Sequence, residues 1–331
     1  MMKTINFAVF GCGVIAGIHA AAIADVEGAV LVGCADAVPA AAEKFADRWG
    51  VRTYPDFEAL INSPDIDAIS ICTPSGTHAE LAIRALERDK NVVLEKPMAI
   101  TVADCDRVIA AALKSRGKIT VISQLRTSPD VLRAREIVRS GKLGKIVLVE
   151  LNMRYYRAPE YFIGSWRGTK KMDGGGALMN QGIHGVDLLQ YIAGPVMNIK
   201  SIVRTLSHNI EVEDTAVAAI ELQSGAIGVI VASTAAHPGF DREIRINGTR
   251  GAIELREDKL VRIVIDGVDE PCEEYTSQGT ASNNAALAHA GHARQIAAFV
   301  EAINSGTRPA VDEHEGRVAV EIIERIYRDS N

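Results

Sequence analysis

Five apolar runs divide the first 124 residues into short strand-like segments, and helical patterns separate most of these runs. The runs are Ile5–Phe10, Val30–Asp36, Ala68–Thr73, Asn91–Lys96 and Ile119–Gln124. Strands that are apolar throughout and alternate with helices are typical of a parallel sheet that is covered on both faces. We therefore predict an α/β fold that begins with a doubly wound Rossmann-type domain over residues 1–124.

The pattern changes in the rest of the chain, residues 125–331. The segments are a helix near Val131–Ser140, a strand over Lys145–Tyr156, a helix over Ala177–Ala193, several strands over Asn198–Asp266 and a helical C-terminus. A run of strands with few helices between them predicts a second, α+β domain with a large open, mainly antiparallel sheet and helices on one face. Thr276–Leu287 is predicted to be a mobile loop.

The composition excludes several classes of protein. A net charge of -6 gives no electrostatic reason to bind nucleic acid or an anionic membrane. The sequence has neither a long apolar span nor a secretory leader at Met1–Phe7, so we expect a cytoplasmic protein. The five cysteines lack a C-x-x-C spacing, which favours reduced packing residues and predicts no metal site.

A glycine-rich turn follows the first strand and opens a helix. Gly11, Gly13 and Ala16 match G-x-G-x-x-A, with Val14 and Ile15 between the last two. The glycines allow a tight turn and a close approach to a pyrophosphate, while the helix N-terminus supplies N–H donors. This context predicts a dinucleotide site.

Asp36 ends the second strand, about twenty residues beyond the turn, where an acid binds the ribose hydroxyls of NAD. A carboxylate there repels the 2′-phosphate of NADP, and no arginine follows to receive that phosphate. We therefore predict NAD as the cofactor. A second role, capping of the next helix, is compatible with the first.

Two further signatures carry a resemblance to a known family. Thr73-Pro74-x-x-x-His78 and Glu95-Lys96-Pro97 follow two later strands, and together with the glycine-rich turn they resemble the glucose-fructose oxidoreductase/inositol dehydrogenase (Gfo/Idh/MocA) family over essentially the whole chain. The resemblance implies an NAD-dependent enzyme that acts on a sugar and assembles as a homodimer or homotetramer through the open sheet. It also implies a set of further cofactor-binding residues: Thr73, Pro74, His78, Glu95, Lys96 and Gln124.

The same resemblance implies that Lys96 and His184 are the catalytic residues. A histidine has a pKa near neutrality and suits removal of a hydroxyl proton as hydride leaves. The Lys96 ammonium would orient the hydroxyl and favour the alkoxide. Asn180 lies four residues before His184 on one predicted helix, so both side chains are expected on the same face.

Asn180 departs from many family members, including those that resemble inositol dehydrogenase, which have Asp at this position. An amide cannot relay a proton as a carboxylate can, and this weakens an inositol dehydrogenase assignment. Members that resemble nucleotide-sugar 3-dehydrogenases have Asn here. They also have motifs similar to Gln124-Leu125-Arg126 and to Ser165-Trp166-x-Gly168.

An aromatic and cationic stretch precedes the catalytic helix and is a candidate substrate wall. Sugars stack on aromatic rings, and diphosphates or carboxylates pair with guanidinium groups. The predicted substrate-binding residues are Lys96, Arg126, Arg154, Tyr156, Trp166, Arg167, Asp173, Asn180 and His184. An alternative is that Leu151–Arg157 simply alternates between the two faces of a strand.

The leading hypothesis is an NAD-dependent dehydrogenase that oxidises a secondary hydroxyl of a sugar, with C3 of a UDP-N-acetylhexosamine or a related nucleotide sugar or glycoside as the best guess. One alternative is a redox-neutral enzyme that oxidises C3 transiently and eliminates a glycosidic substituent, and another is an inositol or other polyol dehydrogenase. A third is a non-catalytic NAD-responsive binding protein.

Overall fold

The computed structural model describes residues 3–277 and 289–330, which form two compact units. The first unit contains residues up to 124 together with residues 289–318, and the second contains residues from 125 together with the stretch from 319. The first unit thus extends to residue 124, and the chain returns to it at residue 289. Apart from Thr276 and Ser277, the predicted loop Thr276–Leu287 lies outside the described residues.

The first unit has a six-stranded sheet in the order β3-β2-β1-β4-β5-β6, with every pair of neighbours parallel. Its strands are β1 (Ile5–Phe10), β2 (Ala29–Ala35), β3 (Arg52–Thr53), β4 (Ala68–Ile71), β5 (Asn91–Leu94) and β6 (Ile119–Val121). This sheet confirms the doubly wound fold. The two-residue strand β3 is exposed and adds a sixth strand to the predicted five.

Helices connect these strands. They are α1 (Val14–Ala24), α2 (Pro39–Trp49), α3 (Phe57–Asn62), α4 (His78–Leu86) and α5 (Val102–Ala112). A later helix, α8 (Ala290–Ser305), packs into the core of the same unit. Its Ile296, Phe299 and Val300 join a buried cluster with Phe7 and Ile23. The prediction placed this helix in the second domain, residues 125–331. In the structure, the apolar face of α8 packs in the core of the first unit.

The second unit has an eight-stranded sheet in the order β14-β13-β12-β11-β7-β10-β9-β8, antiparallel except for the pair β7–β10. Its strands are β7 (Ile146–Arg154), β8 (Val196–Arg204), β9 (Thr215–Leu222), β10 (Ile227–Ser233), β11 (Glu243–Gly248), β12 (Gly251–Arg256), β13 (Lys259–Ile265) and β14 (Val268–Glu270). The other helices are α6 (Pro129–Arg139) and α7 (Ile183–Ala193), together with α9 (Glu313–Asp329), whose residues up to 318 belong to the first unit. The predicted large, mainly antiparallel sheet is confirmed.

The two faces of the second sheet differ in chemistry. Gly185 of α7 lies against Leu151 and Met153, whose side chains are fully buried. The opposite face carries exposed apolar side chains, including Ile202 and Val217, which face each other across β8 and β9. Among the described residues, no helix combines the length and the apolar character that crossing a membrane requires.

Candidate functional site

The glycine-rich turn lies at the carboxyl end of β1. Gly11 has a φ of +91°, and a Cβ there would lie 2.9 Å from the carbonyl carbon and oxygen of Cys72 and from the Thr73 methyl group. Gly13, in contrast, has no described atom within 4 Å of the place where its Cβ would be, and no side chain in the described part of the protein caps α1 there. Uncapped N–H groups beside open space fit a pyrophosphate, so this turn can hold the dinucleotide.

Asp36 ties the turn to the next strand. One carboxylate oxygen accepts a hydrogen bond from the Cys12 N–H at 2.6 Å, and the other accepts one from the Val38 N–H at 2.8 Å. The second bond goes to Val38, the residue before α2, and α2 has no side-chain cap among the described residues, so the capping role of Asp36 stays a prediction. Each carboxylate oxygen has a further lone pair, so these bonds leave capacity for a ribose hydroxyl. Val14 is exposed and Ile15 is partly buried beside this turn.

The Thr73-Pro74 and Glu95-Lys96-Pro97 segments are held together by His78, which is buried at the start of α4. Its Nδ1 lies 2.7 Å from the Pro97 oxygen and its Nε2 lies 2.9 Å from the Thr73 oxygen. A neutral imidazole has one N–H and can donate to only one of these carbonyls. Burial lowers the pKa of His78, although both carbonyls act in the opposite direction.

Glu95 is also buried, and its side chain is directed to protein groups. One oxygen accepts the Lys96 N–H at 3.1 Å, and the other lies 2.8 Å from Nε2 of His19. The side chains of His78 and Glu95 therefore serve contacts inside the first unit, and a direct contact of either with NAD stays a prediction. Lys96 is partly buried, and the backbone oxygen of Gln124 lies against Gly291.

The helix that carries His184 begins in an unusual way. Residues Ala177–Gly182 form a π-helix, and α7 starts at Ile183, so the single predicted helix is two helical types in succession. Short π segments are rare and occur frequently at functional sites. His184 lies in the first turn of α7 and is partly buried. Asn180 lies in the π segment.

Glu213 caps this helix, a role that sequence reasoning missed. Its carboxylate accepts the Gly176 N–H at 2.9 Å, the Leu178 N–H at 2.8 Å and the Tyr327 hydroxyl at 2.8 Å. Burial raises the pKa of Glu213 against the effect of these three bonds. A Cβ on Gly176 would collide with the Glu213 carbonyl oxygen, so the close approach requires glycine. An acid that lies 35 residues beyond Leu178 in the chain has no sequence signal for this role.

Asn180 is held by its neighbours in a fixed orientation. Its side-chain amide donates to Asp173 Oδ1, and its oxygen accepts from Gln181 Nε2 at 3.0 Å. The other oxygen of Asp173, which is 1% exposed, accepts the Gly168 N–H at 2.8 Å. Asp173 therefore positions Asn180, and its predicted contact with a sugar hydroxyl stays a prediction.

Gln181 extends this network to the aromatic stretch. It donates to the Tyr161 hydroxyl at 2.8 Å and accepts from Arg157 at 2.7 Å. The Arg167 guanidinium lies 4.7 Å from the Tyr161 ring centre and 5.2 Å from that of Trp166. The structure thus groups Arg167 and Trp166 with Tyr161, and connects Tyr161 through Gln181 to Asn180.

Arg154 and Tyr156 do not join this group. Leu151, Met153, Tyr155 and Arg157 are buried, whereas Asn152, Arg154 and Tyr156 alternate with them and are partly exposed. Since Leu151 and Met153 contact α7, the alternate side chains lie on the opposite face of the strand. The alternation is the one that the competing interpretation of the stretch described, and contact of Arg154 and Tyr156 with substrate stays a prediction.

Arg126 is buried and pairs with Asp187 of α7, with its Nε 2.8 Å and an Nη 2.5 Å from the two carboxylate oxygens. Its guanidinium also lies 4.5 Å from the Tyr191 ring centre. This two-point bond fixes the turn of α7 that follows His184. A direct contact of Arg126 with substrate stays a prediction.

Comparison with known proteins agrees with both units. A family profile described as an oxidoreductase family with an NAD-binding Rossmann fold matches residues 5–123, and one described as the GFO/IDH/MocA C-terminal domain matches residues 131–254. Inositol 2-dehydrogenase from Rhizobium meliloti is 29% identical over 351 residues, covering 98% of this chain and 96% of its own.

Solved structures extend the similarity to enzymes of nucleotide sugars. The WlbA dehydrogenase from Bordetella pertussis, in complex with NADH and UDP-GlcNAcA, is 28% identical to this chain. The match covers 99% of this chain and 96% of the WlbA chain, with a TM-score of 0.88.

Myo-inositol 2-dehydrogenase from Thermotoga maritima is 27% identical over 328 residues, covering 94% of this chain and 92% of its own.

Proposed function

Because this chain belongs to the Gfo/Idh/MocA family of NAD-binding oxidoreductases, we propose that it oxidises C3 of a UDP-linked N-acetylhexosamine or of the corresponding uronic acid. The chain is an NAD-dependent enzyme of a family that acts on the CH–OH groups of sugars and polyols. The observation that carries the narrower proposal is the amide of Asn180, held by Asp173 in the turn before His184.

The proposed catalytic pair is Lys96 and His184. His184 takes the proton of the C3 hydroxyl, which a neutral imidazole can do near neutral pH. The Lys96 ammonium donates a hydrogen bond to the same oxygen and stabilises the developing alkoxide. NAD, when bound, supplies the hydride acceptor. Asn180 binds the substrate as a neutral hydrogen-bonding group, because its amide cannot exchange a proton with His184.

Arg167 is the proposed contact for the anionic part of the substrate. Its guanidinium is partly exposed and lies against the rings of Tyr161 and Trp166, which limits its motion. A guanidinium held on aromatic rings offers paired N–H donors to a diphosphate or a carboxylate. Arg157 is buried and donates to the Tyr156 carbonyl and to Gln181, so we assign it a supporting role.

The test is NADH formation at 340 nm across a panel of UDP-sugars, free hexoses, glycosides and inositols. We expect NADH with a UDP-N-acetylhexosamine or its uronic acid, far less with NADP, and loss of the signal in Lys96→Ala and His184→Ala. Arg167→Ala should raise KM for the UDP-sugar more than it lowers kcat, since the guanidinium binds a remote group. Lys170→Ala is the matched control, because it removes an exposed cation of the same segment and should leave KM unchanged.

Two outcomes would refute the proposal. Turnover of inositols in preference to every UDP-sugar would make the chain a polyol dehydrogenase. Cleavage of a glycoside without net NADH, detected by chromatography of the products, would indicate the redox-neutral alternative.

The open face of the second sheet supports a proposed homodimer or homotetramer. Ile202 and Val217 form an apolar row with Val231, and Leu148 pairs with Ile227 nearby. Exposed apolar side chains grouped on one face of a sheet are typical of an interface. Light scattering should give a mass that is two or four times 35.5 kDa, reduced in Val217→Lys. A monomeric wild type at micromolar concentration would refute the assembly.

A further inference from the structure

Three buried histidines converge on the Glu95-Lys96-Pro97 segment within the first unit. His78 holds the Pro97 side of this segment, as described above. His19 from α1 and His292 from α8 both reach Glu95, and they are 0% and 2% exposed. Their rings meet edge to face, with centres 5.2 Å apart. No sequence motif assigns a function to His19 or to His292.

The hydrogen bonds determine where the protons lie. Burial alone would raise the pKa of Glu95, but the bond from His19 and the close approach of His292 hold it well below its usual range. Burial lowers the pKa of His19, which favours a neutral ring, although the bond to Glu95 acts in the opposite direction. An ionised Glu95 accepts, and His19 must therefore carry its proton on Nε2. The Ser70 hydroxyl then donates to His19 Nδ1, at 2.5 Å.

His292 approaches the same oxygen of Glu95. Its Nε2 lies 3.4 Å from Oε1, and neither ring nitrogen of His292 makes a hydrogen bond among the described residues. Glu95 Oε2 is the oxygen that accepts the Lys96 N–H. One carboxylate oxygen is thus bonded to His19 with His292 packed beside it, and the other oxygen accepts the N–H of Lys96.

A metal ion is the competing explanation for these three residues, because their ligand atoms lie within 4.8 Å of one another. The hydrogen bonds weigh against it. Both ring nitrogens of His19 and both oxygens of Glu95 already have protein partners, and a metal would have to displace at least the bond between His19 and Glu95.

We propose that His19 and His292 are positioning residues, which act through Glu95 to fix the backbone of Lys96 and thereby the direction of its ammonium. The inference rests on the proposed role of Lys96 in catalysis. A lysine side chain has four rotatable bonds, so an anchored backbone narrows the positions that its ammonium can reach. Misplacement of a catalytic group by about 1 Å costs up to about 100-fold in rate.

The experiment compares variants that remove or restore the hydrogen bond to Glu95. His19→Leu and His292→Leu should each lower kcat by between about tenfold and about 100-fold. Their KM for NAD should change by less than about threefold, because the turn that holds the dinucleotide is unaltered. His19→Gln should recover much of the rate, since its amide can donate. His289→Gln is the matched control at the start of α8, where the histidine binds Asp25 at the surface.

A double variant separates positioning from general damage. In a Lys96→Arg background, His19→Leu should lower kcat by less than about twofold. The lysine ammonium that His19 positions is already absent in this background, so the two effects should not add. A full additional loss in that background would overturn the inference. A normal kcat in both leucine variants would also overturn it. The same holds if the purified protein contains one equivalent of metal and the His292→Leu variant contains none.

The two proposals fail in different ways. If Lys96→Ala retains full activity, the proposed function is wrong in its catalytic residue. If Lys96→Ala is inactive while the leucine variants are normal, only the positioning role is wrong. His292→Leu keeps the test valid if His19→Leu does not fold, because it leaves the bond between His19 and Glu95 intact.

Discussion

Asn180→Asp converts the hydrogen bond between Asn180 and Asp173 into a contact between two carboxylates. Asp173 cannot turn away easily, since it is buried and its second oxygen binds the Gly168 N–H. Two charges about 4 Å apart repel by about 4 kcal/mol at an effective dielectric constant of 20. The pair can avoid this repulsion if one carboxyl binds a proton that the two then share. At pH 7 this protonation costs a similar amount, about 4 kcal/mol, because each unit by which the pH exceeds the ordinary carboxyl pKa costs about 1.4 kcal/mol.

Residue 180 is partly exposed and can rotate toward solvent, which relieves part of this repulsion. We therefore expect Asn180→Asp to lower the free energy of unfolding by about 2 to 4 kcal/mol at pH 7.5. One carboxyl of the pair has its folded pKa raised above the unfolded value. A raised pKa adds stability at low pH that is lost as pH rises, so the deficit relative to wild type should shrink by at least about 1 kcal/mol at pH 5.

Urea unfolding provides the assay, with Trp166 fluorescence in a Trp49→Phe background so that the signal reports the second unit. The control is the exchanged pair Asp173→Asn with Asn180→Asp. In it, the new amide at 173 can accept from Gly168 and donate to the new carboxylate. We expect this double variant to recover at least half of the lost stability. Equal stability of Asn180→Asp and wild type at pH 7.5, a deficit that does not change with pH, or no recovery in the exchanged pair would refute the reasoning.

Three further predictions concern other parts of the chain. Asp36→Ser should lower kcat/KM for NAD by between about tenfold and about 100-fold and raise the NADP/NAD ratio, since a charge-assisted bond and a repulsive charge are both lost; an unchanged ratio in the 340 nm assay would contradict this. The folded pKa of His78 is lowered, so it stabilises the protein above pH 6.5 and this contribution is lost at lower pH. His78→Gln should therefore reduce the loss of stability between pH 7.5 and 5.5 by about 1 kcal/mol in urea titrations, and an unchanged slope would be contrary evidence. Gly176→Ala should destabilise by about 1 to 3 kcal/mol through collision with Glu213, whereas Gly17→Ala, with open space around its Cβ, should be neutral or stabilising in the same assay.

Local patterns in the sequence predicted the first sheet well. The apolar run Ile5–Phe10 is β1, and Val30–Asp36 differs from β2 by one residue at each end. β1 and the carboxyl-terminal half of β2 are largely buried, so a continuous apolar run identifies them. The strand β3 escaped prediction because its two residues are exposed and charged or polar, and pairing with β2 alone defines it.

The candidate site was predictable only where it depends on nearby residues. Gly11, Gly13 and Asp36 follow a fixed spacing along the chain, and the structure places them together at one turn. The bond of Glu95 to His19 and its close approach to His292 join distant parts of the chain, which one sequence cannot pair. The π-helix before His184 was missed for a related reason, since helical periodicity does not distinguish it from an α-helix.

The return of the chain to the first unit has a consequence for its synthesis. When residues 1–124 leave the ribosome, the apolar surface that later receives Ile296, Phe299 and Val300 is still uncovered. Burial of three such side chains contributes about 5 to 8 kcal/mol, a large share of the stability of a typical domain. The nascent Rossmann sheet therefore stays exposed to proteases and chaperones until α8 has also been translated. A fusion protein that contains only residues 1–124 as a dinucleotide-binding module would expose this apolar surface and tend to aggregate. A fragment that ends at residue 124 therefore needs α8 attached to it.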